Sequence, residues 1–201
     1  MSVAGHETST VLLKWVIYEI SKNTQLQNKA REEIKSKLGD SKPSYDSYDQ
    51  LTYVNALILE GLRVHPPVTS VVKQVCKKET TLCDITITKG TQIDIFIAGA
   101  HYDDRHWENP EQFNPERFIT EQNELRSESS FGFSFVPFSA GLRKCIGFRF
   151  SLLESCMILT RLIQCFKFES MNTQDDPVGE FIGITVGPDN LKVKIIPIEQ
   201  Q

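Results

Sequence analysis

The sequence lacks several features that would assign a protein class directly. No apolar run is long enough to cross a membrane as a helix, and no signal-peptide pattern is present. There is also no internal repeat and no low-complexity tract. We therefore expect a globular chain that carries no membrane anchor of its own.

An excess of positive charge is also missing. The chain has 22 Lys and Arg residues against 26 Asp and Glu residues, which gives a formal net charge of −4 and a pI near 5.6. Proteins that bind nucleic acids usually present a surplus of basic residues to the phosphates. This charge balance gives no reason to expect a nucleic-acid partner.

Paired cysteines are absent as well. The five cysteines are Cys76, Cys83, Cys145, Cys156 and Cys165, and no two of them form a C-x-x-C pair. The four histidines add no zinc-finger spacing, so structural zinc is not expected. An odd, scattered set fits a reducing compartment, with most of the thiols buried.

Composition and periodicity together predict a mainly α fold with small β-sheets. With 40% hydrophobic and 24% charged residues, the 201-residue chain resembles an ordinary globular domain. Apolar residues at helical spacing predict helices over residues 3–22, 26–38, 53–64 and 146–166. β-branched residues predict strands over residues 68–75, 81–88 and 91–97, and a β-hairpin over 181–196. We expect Phe150 to face inward on the last helix.

The stretch with the most chemical information is residues 138–147, Phe-Ser-Ala-Gly-Leu-Arg-Lys-Cys-Ile-Gly. Cys145 lies where a loop enters a predicted helix, and the N–H groups and dipole of a helix start favour a thiolate. Gly141 and Gly147 allow backbone conformations closed to other residues, and they let a bulky flat partner approach the main chain. Such a loop suits a thiolate that faces a large planar group.

The pattern Phe-x-x-Gly-x-Arg-x-Cys-x-Gly resembles the haem-binding signature of cytochrome P-450. The resemblance implies that Cys145 is the axial thiolate ligand of the iron in haem b, the ligation that favours O–O cleavage. It further implies that Arg143 neutralises a haem propionate and that Phe138 packs beside the thiolate and shields it. Gly141 and Gly147 then belong to the haem-binding loop.

The resemblance also implies which part of the family fold is present. It covers the C-terminal part, with residues 1–201 as a single haem-binding domain that is truncated at its N-terminal side. The first predicted helix has no polar lead-in or cap. We therefore expect the chain to begin inside an element, which the resemblance identifies as the distal helix.

Residues 4–8, Ala-Gly-His-Glu-Thr, set an acid beside an alcohol within that helix. The Thr8 hydroxyl can donate back to the Ala4 carbonyl and bend the helix, and Gly5 removes a side chain from the same turn, so we expect a groove. Alone, the pair is better explained by a surface Glu and a tolerated Thr. Beside the cysteine loop it resembles the family's oxygen-activation motif, which implies that Thr8 hydrogen-bonds the dioxygen and Glu7 belongs to the proton route.

Glu60 and Arg63 lie three residues apart on the third predicted helix, just before His-Pro-Pro. An exposed pair at this spacing contributes well under ~1 kcal/mol. The spacing nevertheless resembles the family's K-helix signature, in which the pair is buried and completed by an arginine from a later Pro-x-Arg-Phe segment. Residues 115–118 read Pro-Glu-Arg-Phe, so the resemblance makes Arg117 the third member of a structural network that supports the cysteine loop.

The resemblance has implications for three further places. It puts residues 68–72 along the haem and the substrate cavity, with the tip of the 181–196 hairpin reaching the same pocket. Lys73 stands near a family arginine that pairs with a propionate, although lysine keeps the charge and loses the fork geometry. It also gives His101 a structural role, whereas the residues alone lead us to expect His101 and His106 at the surface or at helix caps, with neither as a ligand.

The function implied by the resemblance is that of a haem-thiolate monooxygenase. It would insert one atom of O₂ into a small apolar substrate, such as a lipid, steroid or xenobiotic, with electrons from NADPH through a reductase. Lys144 and Arg149 could help to dock that acidic partner, with ordinary solvated charge as an equal alternative. The full-length protein would lie at the endoplasmic reticulum membrane, held by an N-terminal part outside this chain.

Two other functions stay open at this point. A haem-thiolate isomerase or dehydratase would rearrange peroxides without O₂, but such relatives often lack the acid–alcohol pair that Glu7 and Thr8 supply. A truncated fragment without catalysis of its own is the other alternative. The sequence does not name the substrate.

Overall fold

The structure is a computed structural model that describes residues 2–198, apart from the side chains of residues 2, 3 and 72–74. Its α-helices are α1 (Ser2–Lys22), α2 (Thr24–Leu38), α3 (Thr52–Val64), α4 (Ile97–His101) and α5 (Phe148–Cys165). Short 3₁₀ turns span Tyr45–Gln50, Pro115–Phe118, Glu128–Ser134 and Gly141–Arg143. The predicted fold class, mainly α with small sheets, is confirmed.

The strands form two-stranded antiparallel sheets. They are β1 (Ser70–Val75), β2 (Thr80–Leu82), β3 (Ile85–Ile87), β4 (Gln92–Phe96), β5 (Phe166–Ser170), β6 (Gly179–Ile182), β7 (Val186–Asp189) and β8 (Val193–Pro197). Strand β1 pairs with β4, β2 with β3, β5 with β8, and β6 with β7. The small sheets lie around the helices as separate ribbons.

Local signals explain where the second helix starts and stops. The Asn23 side chain accepts hydrogen bonds from the N–H groups of Gln25 and Leu26, so α2 begins at Thr24, two residues earlier than predicted. Gly39 ends the helix with φ +57° and donates its N–H to the Lys35 carbonyl. A cap at each end therefore defines this rather polar helix.

The core lies where α3 is enclosed by α1, α2 and α5. Helix α3 is buried from Tyr53 to Val64, and Val54, Leu57 and Ile58 are at most 1% exposed. Helix α1 can approach closely because Gly61 has no side chain: a Cβ there would lie 2.5 Å from Val16 Cγ2. Burial of this apolar surface is the main stabilising contribution to the fold.

Three predictions about elements are wrong. Residues 81–88 form a hairpin rather than one strand, since Cys83 and Asp84 turn the chain with φ of 46° and 65°. The predicted 181–196 hairpin does not form as such, because β7 pairs back onto β6 while β8 pairs with β5. Phe150 is 66% exposed, because the first turn of α5 projects from the core.

One edge of the β5–β8 sheet is covered by helix α2. Gln27 accepts the N–H of Phe168 at 2.9 Å and donates its amide to the Phe168 carbonyl at 2.9 Å. Arg31 adds a 3.0 Å bond to the carbonyl of Phe166. Side chains of α2 thus occupy backbone groups that face away from β8.

Within residues 2–198, no helix combines the length and the apolar character that crossing a bilayer would require.

Candidate functional site

The cysteine loop is a tight, backbone-closed structure in front of α5. The N–H of Cys145 donates to the Phe138 carbonyl at 2.9 Å, and the N–H of Lys144 donates to the Gly141 carbonyl at 3.1 Å. Ser139 N–H closes the preceding turn onto the Val136 carbonyl at 2.9 Å. These bonds hold Cys145 three residues ahead of α5 with an exposed side chain.

The two glycines of the loop serve different purposes. Gly141 has φ +71°, a left-handed conformation that favours glycine, as predicted. Gly147 has φ −87° and ψ 5°, which any residue can adopt, so the prediction of a special backbone conformation there is wrong. A Cβ at Gly147 would lie 3.9 Å from Cys145 Sγ, so this glycine keeps the space beside the sulfur open.

The chemistry around the thiol fits a large planar cofactor with an apolar body and acidic edges. Leu142 and Ile146, on either side of Cys145, are almost wholly exposed, although such side chains are usually buried. Arg143 is exposed, and the described residues offer it neither a hydrogen bond nor an ion pair. One sulfur donor, two apolar side chains and an available cation match the demands of a thiolate-ligated haem.

Phe138 lies beside the start of α5, half-buried against the core. Its ring centroid is 6.2 Å from that of Phe148, with the two planes tilted by 57°. The Lys144 ammonium lies 4.1 Å above the Phe148 ring and also pairs with Glu128 at 3.1 Å. The aromatic pair therefore braces the base of the loop.

The structure brings Glu60, Arg63 and Arg117 together. Arg63 binds Glu60 with two parallel hydrogen bonds of 2.8 Å, and both side chains are 0% exposed. Arg117 Nε lies 3.4 Å from Glu60 Oε1, within ion-pair distance but without hydrogen-bond geometry. Burial raises the pKa of Glu60, and the hydrogen bonds from Arg63 oppose that rise.

Backbone contacts extend this network to neighbouring segments. Arg63 donates to the carbonyls of His101 at 2.9 Å and Gln112 at 3.2 Å. The N–H of Asn114 donates to Glu60 Oε1 at 2.8 Å, and Arg117 binds the Asn109 carbonyl at 2.9 Å. One buried carboxylate and two guanidinium groups thus hold the backbone of residues 101–114 in place.

His101 connects the network to the cysteine loop. Its side chain is completely buried, so the prediction that it lies at the surface or at a cap is wrong. The N–H of Val136 donates to His101 Nε2 at 3.0 Å, and Val136 in turn accepts the Ser139 N–H that closes the loop. Burial lowers the pKa of His101 to about 4, which keeps the ring neutral and able to accept.

The acid–alcohol pair lies on α1, where the backbone carbonyls are engaged by hydroxyls. Thr8 donates to the Ala4 carbonyl at 2.8 Å, as predicted, and Thr10 donates to the His6 carbonyl at 2.7 Å. Glu7 Oε1 accepts a 2.7 Å hydrogen bond from the hydroxyl of Thr185. The three side chains Glu7, Thr8 and Thr10 are half-buried.

A direct contact joins α1 to the helix behind the cysteine loop. Ser9, which follows Thr8, shares a 3.2 Å hydrogen bond with Ser151 in the first turn of α5. Ser9 is buried, and Ser151 follows Gly147 by one turn, with its N–H bonded to the Gly147 carbonyl at 2.9 Å. The acid–alcohol turn and the thiol-bearing loop are therefore attached to each other through α5.

The remaining predicted residues are placed as follows. Lys73 lies in β1, and its side chain is outside the described part of the structure. His106 is exposed. Arg149 is exposed and its guanidinium lies 5.6 Å from the Phe148 ring, whereas the charge of Lys144 is already shared with Glu128.

Two open concavities lie outside these features. One of about 910 Å³ is lined by residues 102–104 and 109–112. Another of about 530 Å³ lies between the Tyr45–Gln50 turn and the start of α5 and includes Arg149. Among the described residues, neither concavity is lined by a member of the predicted haem-binding or catalytic set, so the candidate site rests on the cysteine loop and on α1.

Sequence reasoning missed two contacts of the site. Nothing in the local pattern around Thr185 marks it as a partner of Glu7, because the two are 178 residues apart in the chain. The acceptor role of His101 toward Val136 was missed for the same reason, although the aromatic, proline-containing segment that follows it signalled tight packing.

Comparison with known proteins gives one consistent result. The family model described as Cytochrome P450 matches residues 1–195. Cytochrome P450 6B7 of Helicoverpa armigera is 35% identical over 97% of this chain and 39% of its own length. Steroid 17-alpha-hydroxylase/17,20 lyase of Ictalurus punctatus is 35% identical over 94% of this chain and 37% of its own length. Cytochrome P450 3A2 of Rattus norvegicus is 34% identical over 87% of this chain and 34% of its own length.

The matches cover nearly the whole chain, but only part of each relative. The chain spans less than two fifths of the length of these curated relatives.

Proposed function

This chain belongs to the cytochrome P450 family, and we propose that it forms the thiolate-bearing part of a haem monooxygenase. The reaction is insertion of one atom of O₂ into an apolar organic substrate, with electrons from NADPH through a reductase. The observation that carries the proposal is the exposed Cys145 thiol, set in a backbone-closed loop between exposed Leu142 and Ile146. We further propose that residues 1–201 form a single haem-binding domain.

The haem would be held by residues of the cysteine loop. Cys145 would supply the sulfur ligand, Arg143 would pair with a propionate, and Phe138 would shield the sulfur from water. Gly141 and Gly147 keep the loop tight and the space beside the sulfur free. When bound, haem would supply the redox chemistry of oxygen activation, which a thiolate ligand favours. We assign Lys73 as a second propionate partner on its position in β1.

Glu7 and Thr8 are assigned to proton handling. The Thr8 hydroxyl donates to the Ala4 carbonyl, and its oxygen keeps lone pairs with which it can accept a proton or a hydrogen bond. One oxygen of Glu7 accepts the hydrogen bond from Thr185, and the described residues give the other oxygen no hydrogen bond. Glu7 is half-buried, so solvent can reach its carboxyl group, and we assign it to the proton route beside Thr8.

The substrate would be apolar, such as a lipid, steroid or xenobiotic. Support comes from the name of the catfish relative, a steroid hydroxylase, and from the exposed apolar side chains Phe181, Ile182 and Ile184 beside the turn that contacts Glu7. Arg149, which is exposed, is the better of the two predicted contacts for an acidic reductase, since Lys144 is paired with Glu128. The endoplasmic reticulum membrane is the proposed location, as the family resemblance implies.

The test of the cofactor assignment is a spectrum of the haem-loaded protein, reduced under carbon monoxide. We expect a thiolate-type Soret band in the wild type and its loss in Cys145→Ser. Cys83→Ser is the matched control, because Cys83 is also an exposed thiol but lies in the β2–β3 turn. A band that survives in Cys145→Ser, or is lost equally in Cys83→Ser, would contradict the assignment.

Turnover assays separate the monooxygenase from a peroxide isomerase or dehydratase. The proposed enzyme requires NADPH, a reductase and O₂ for product formation. Full activity on a hydroperoxide alone, without NADPH or O₂, would show that the isomerase reading is correct.

A further inference from the structure

The turn between β6 and β7 contacts α1 at the acid of the proposed proton-handling pair. Thr185 Oγ1 donates a 2.7 Å hydrogen bond to Glu7 Oε1. Thr185 is only 5% exposed, whereas its neighbour Ile184 is 87% exposed. A polar residue is thus buried in an otherwise exposed turn, and its hydroxyl is committed to one carboxylate oxygen.

The position of Thr185 is fixed by contacts that do not involve Glu7. The Trp15 indole donates to the Val186 carbonyl at 3.2 Å, and the Val186 N–H donates to the Pro67 carbonyl at 2.9 Å. Thr185 also accepts the Gly183 N–H at 3.0 Å through its carbonyl, which closes the turn. The hydroxyl therefore reaches Glu7 from a turn that is already attached to α1.

A fixed donor on one oxygen restricts the Glu7 side chain. An exposed glutamate samples many rotamers, and ordering such a side chain carries an entropic cost. Here the hydrogen bond holds Oε1 toward the β6–β7 turn, and the described residues give Oε2 no hydrogen bond. A glutamate without this partner would spend less time in this single orientation.

We propose that Thr185 is a positioning residue that holds the Glu7 carboxylate for proton transfer to the Thr8 side of α1. The proposal rests on the monooxygenase function and adds a residue from the C-terminal part of the chain to its proton route. It also gives the β6–β7 turn two roles, since the same turn presents Ile184 to solvent and Thr185 to the acid.

A purely structural role is the competing explanation, in which the Thr185–Glu7 bond only docks the turn on α1. Two variants separate the explanations. Thr185→Val removes the hydroxyl with little change of shape, and Thr185→Ser retains it. Trp15→Phe is the matched control, because it deletes another bond between the turn and α1 without touching Glu7.

The first measurement is infrared spectroscopy of the full-length, haem-loaded protein. The carboxylate stretching band of Glu7 is identified by its absence in Glu7→Gln. We expect this band to shift in Thr185→Val and to keep its frequency in Thr185→Ser and Trp15→Phe. An unshifted band in Thr185→Val would overturn the proposal without reference to activity.

The second measurement is the amount of product formed per NADPH consumed, as a function of pH. We expect Thr185→Val to lower this ratio about tenfold, as expected for loss of a hydrogen bond to a charged group, with a changed pH profile and unchanged substrate affinity. Thr185→Ser should restore the wild-type ratio. Equal losses in Thr185→Val and Trp15→Phe would show that the contact only docks the turn.

The outcomes also distinguish this proposal from the proposed function. A wild-type protein that binds haem but makes no NADPH-dependent product refutes the function and the proton role together. A wild type that turns over normally, with Thr185→Val unaffected in ratio and pH profile, refutes the role of Thr185 alone.

Discussion

At the scale of single residues, His101 shows how burial sets a protonation state. Its ring is wholly enclosed, packs 5.3 Å from Phe135, and accepts the Val136 N–H. Protonation would put a donor where an acceptor is needed and leave a charge beside the guanidinium of Arg63, which binds the His101 carbonyl. A neutral imidazole is therefore part of what holds the segment before the cysteine loop.

Because His101 is buried as a neutral ring, we predict that the free energy of unfolding decreases in acid. The pKa of His101 is lowered to about 4 from an ordinary 6.5, so its contribution to stability is complete above pH 6.5 and is lost as the pH falls toward 4. We expect a loss on the order of 3 kcal/mol over that interval from this residue. Urea unfolding at pH 7, 5.5 and 4 measures it.

His101→Gln, which keeps an acceptor but does not titrate, is expected to be less stable at pH 7 and to lose less stability on acidification. His106→Gln serves as the control, since His106 is exposed. If His101→Gln and the wild type show the same dependence on pH, the buried imidazole is not responsible.

At the scale of elements, the packing of α1 on α3 depends on one missing side chain. Gly61 lies inside α3, where glycine is ordinarily about 1 kcal/mol less favourable than alanine. Here a Cβ would lie 2.5 Å from Val16 Cγ2 and 3.2 Å from Leu12 Cδ1. Because valine is stiff at χ1 and Val16 is completely buried, the neighbour has little freedom to move away.

The usual effect of a glycine-to-alanine change in a helix should therefore be reversed at this position. We expect Gly61→Ala to lower the free energy of unfolding by roughly 1–2 kcal/mol, because overpacking outweighs the gain in helix propensity. Thermal and urea unfolding followed by circular dichroism provide the measurement.

Two variants test the steric cause. Gly5→Ala on α1 is the control, because a Cβ there meets nothing within 4 Å, so stability should stay constant or rise. Val16→Ala combined with Gly61→Ala should lose less than the sum of the single changes, since the smaller side chain makes room. Additive losses would argue against the clash.

At the scale of the whole molecule, the Glu60 network joins parts that are far apart in the chain. It connects α3 with the carbonyls of His101, Asn109 and Gln112, and through His101 with the segment that closes the cysteine loop. Aromatic side chains continue this packing, with Trp107 stacked on Phe131 at 5.3 Å. A buried charge cluster therefore organises the irregular third quarter of the chain.

Removal of the central carboxylate should affect this entire region. Glu60→Gln leaves two guanidinium groups without their buried counter-charge, and we expect a loss of about 3–5 kcal/mol in the free energy of unfolding. We also expect the haem-loaded protein to lose cofactor at lower temperature, because the loop's support is weakened.

Glu169→Gln is the control for this change, because Glu169 forms exposed pairs with Lys167 and Lys194. It should leave the unfolding curve unchanged. If Glu60→Gln is as mild as this control, the network does not support the loop in the way described.

Much of the helical framework could be predicted from the sequence, because long apolar periodicities are local signals. Helices α1, α3 and α5 begin and end within two residues of the prediction. Strand pairing was harder to predict, because the residue pattern over 181–196 does not indicate which strand each segment pairs with. The turn at Cys83 and Asp84 was missed because neither residue is a glycine.

The site residues show the same difference between local patterns and contacts made by folding. Cys145, Arg143 and the Glu60–Arg63 pair could be proposed from the sequence because each belongs to a short pattern with fixed intervals. The donor to Glu7 and the burial of His101 depend on residues brought together by folding, so no local pattern could specify them.

The cover that α2 places on β5 has a consequence for the behaviour of the protein in solution. Gln27 occupies both backbone groups of Phe168 on the side away from β8, where an incoming strand from another molecule would otherwise pair. Such open strand edges are templates for aggregation. The Gln27 side chain therefore blocks this edge of β5 from pairing with a strand of another molecule, and the same hydrogen bonds attach α2 to β5 within the fold.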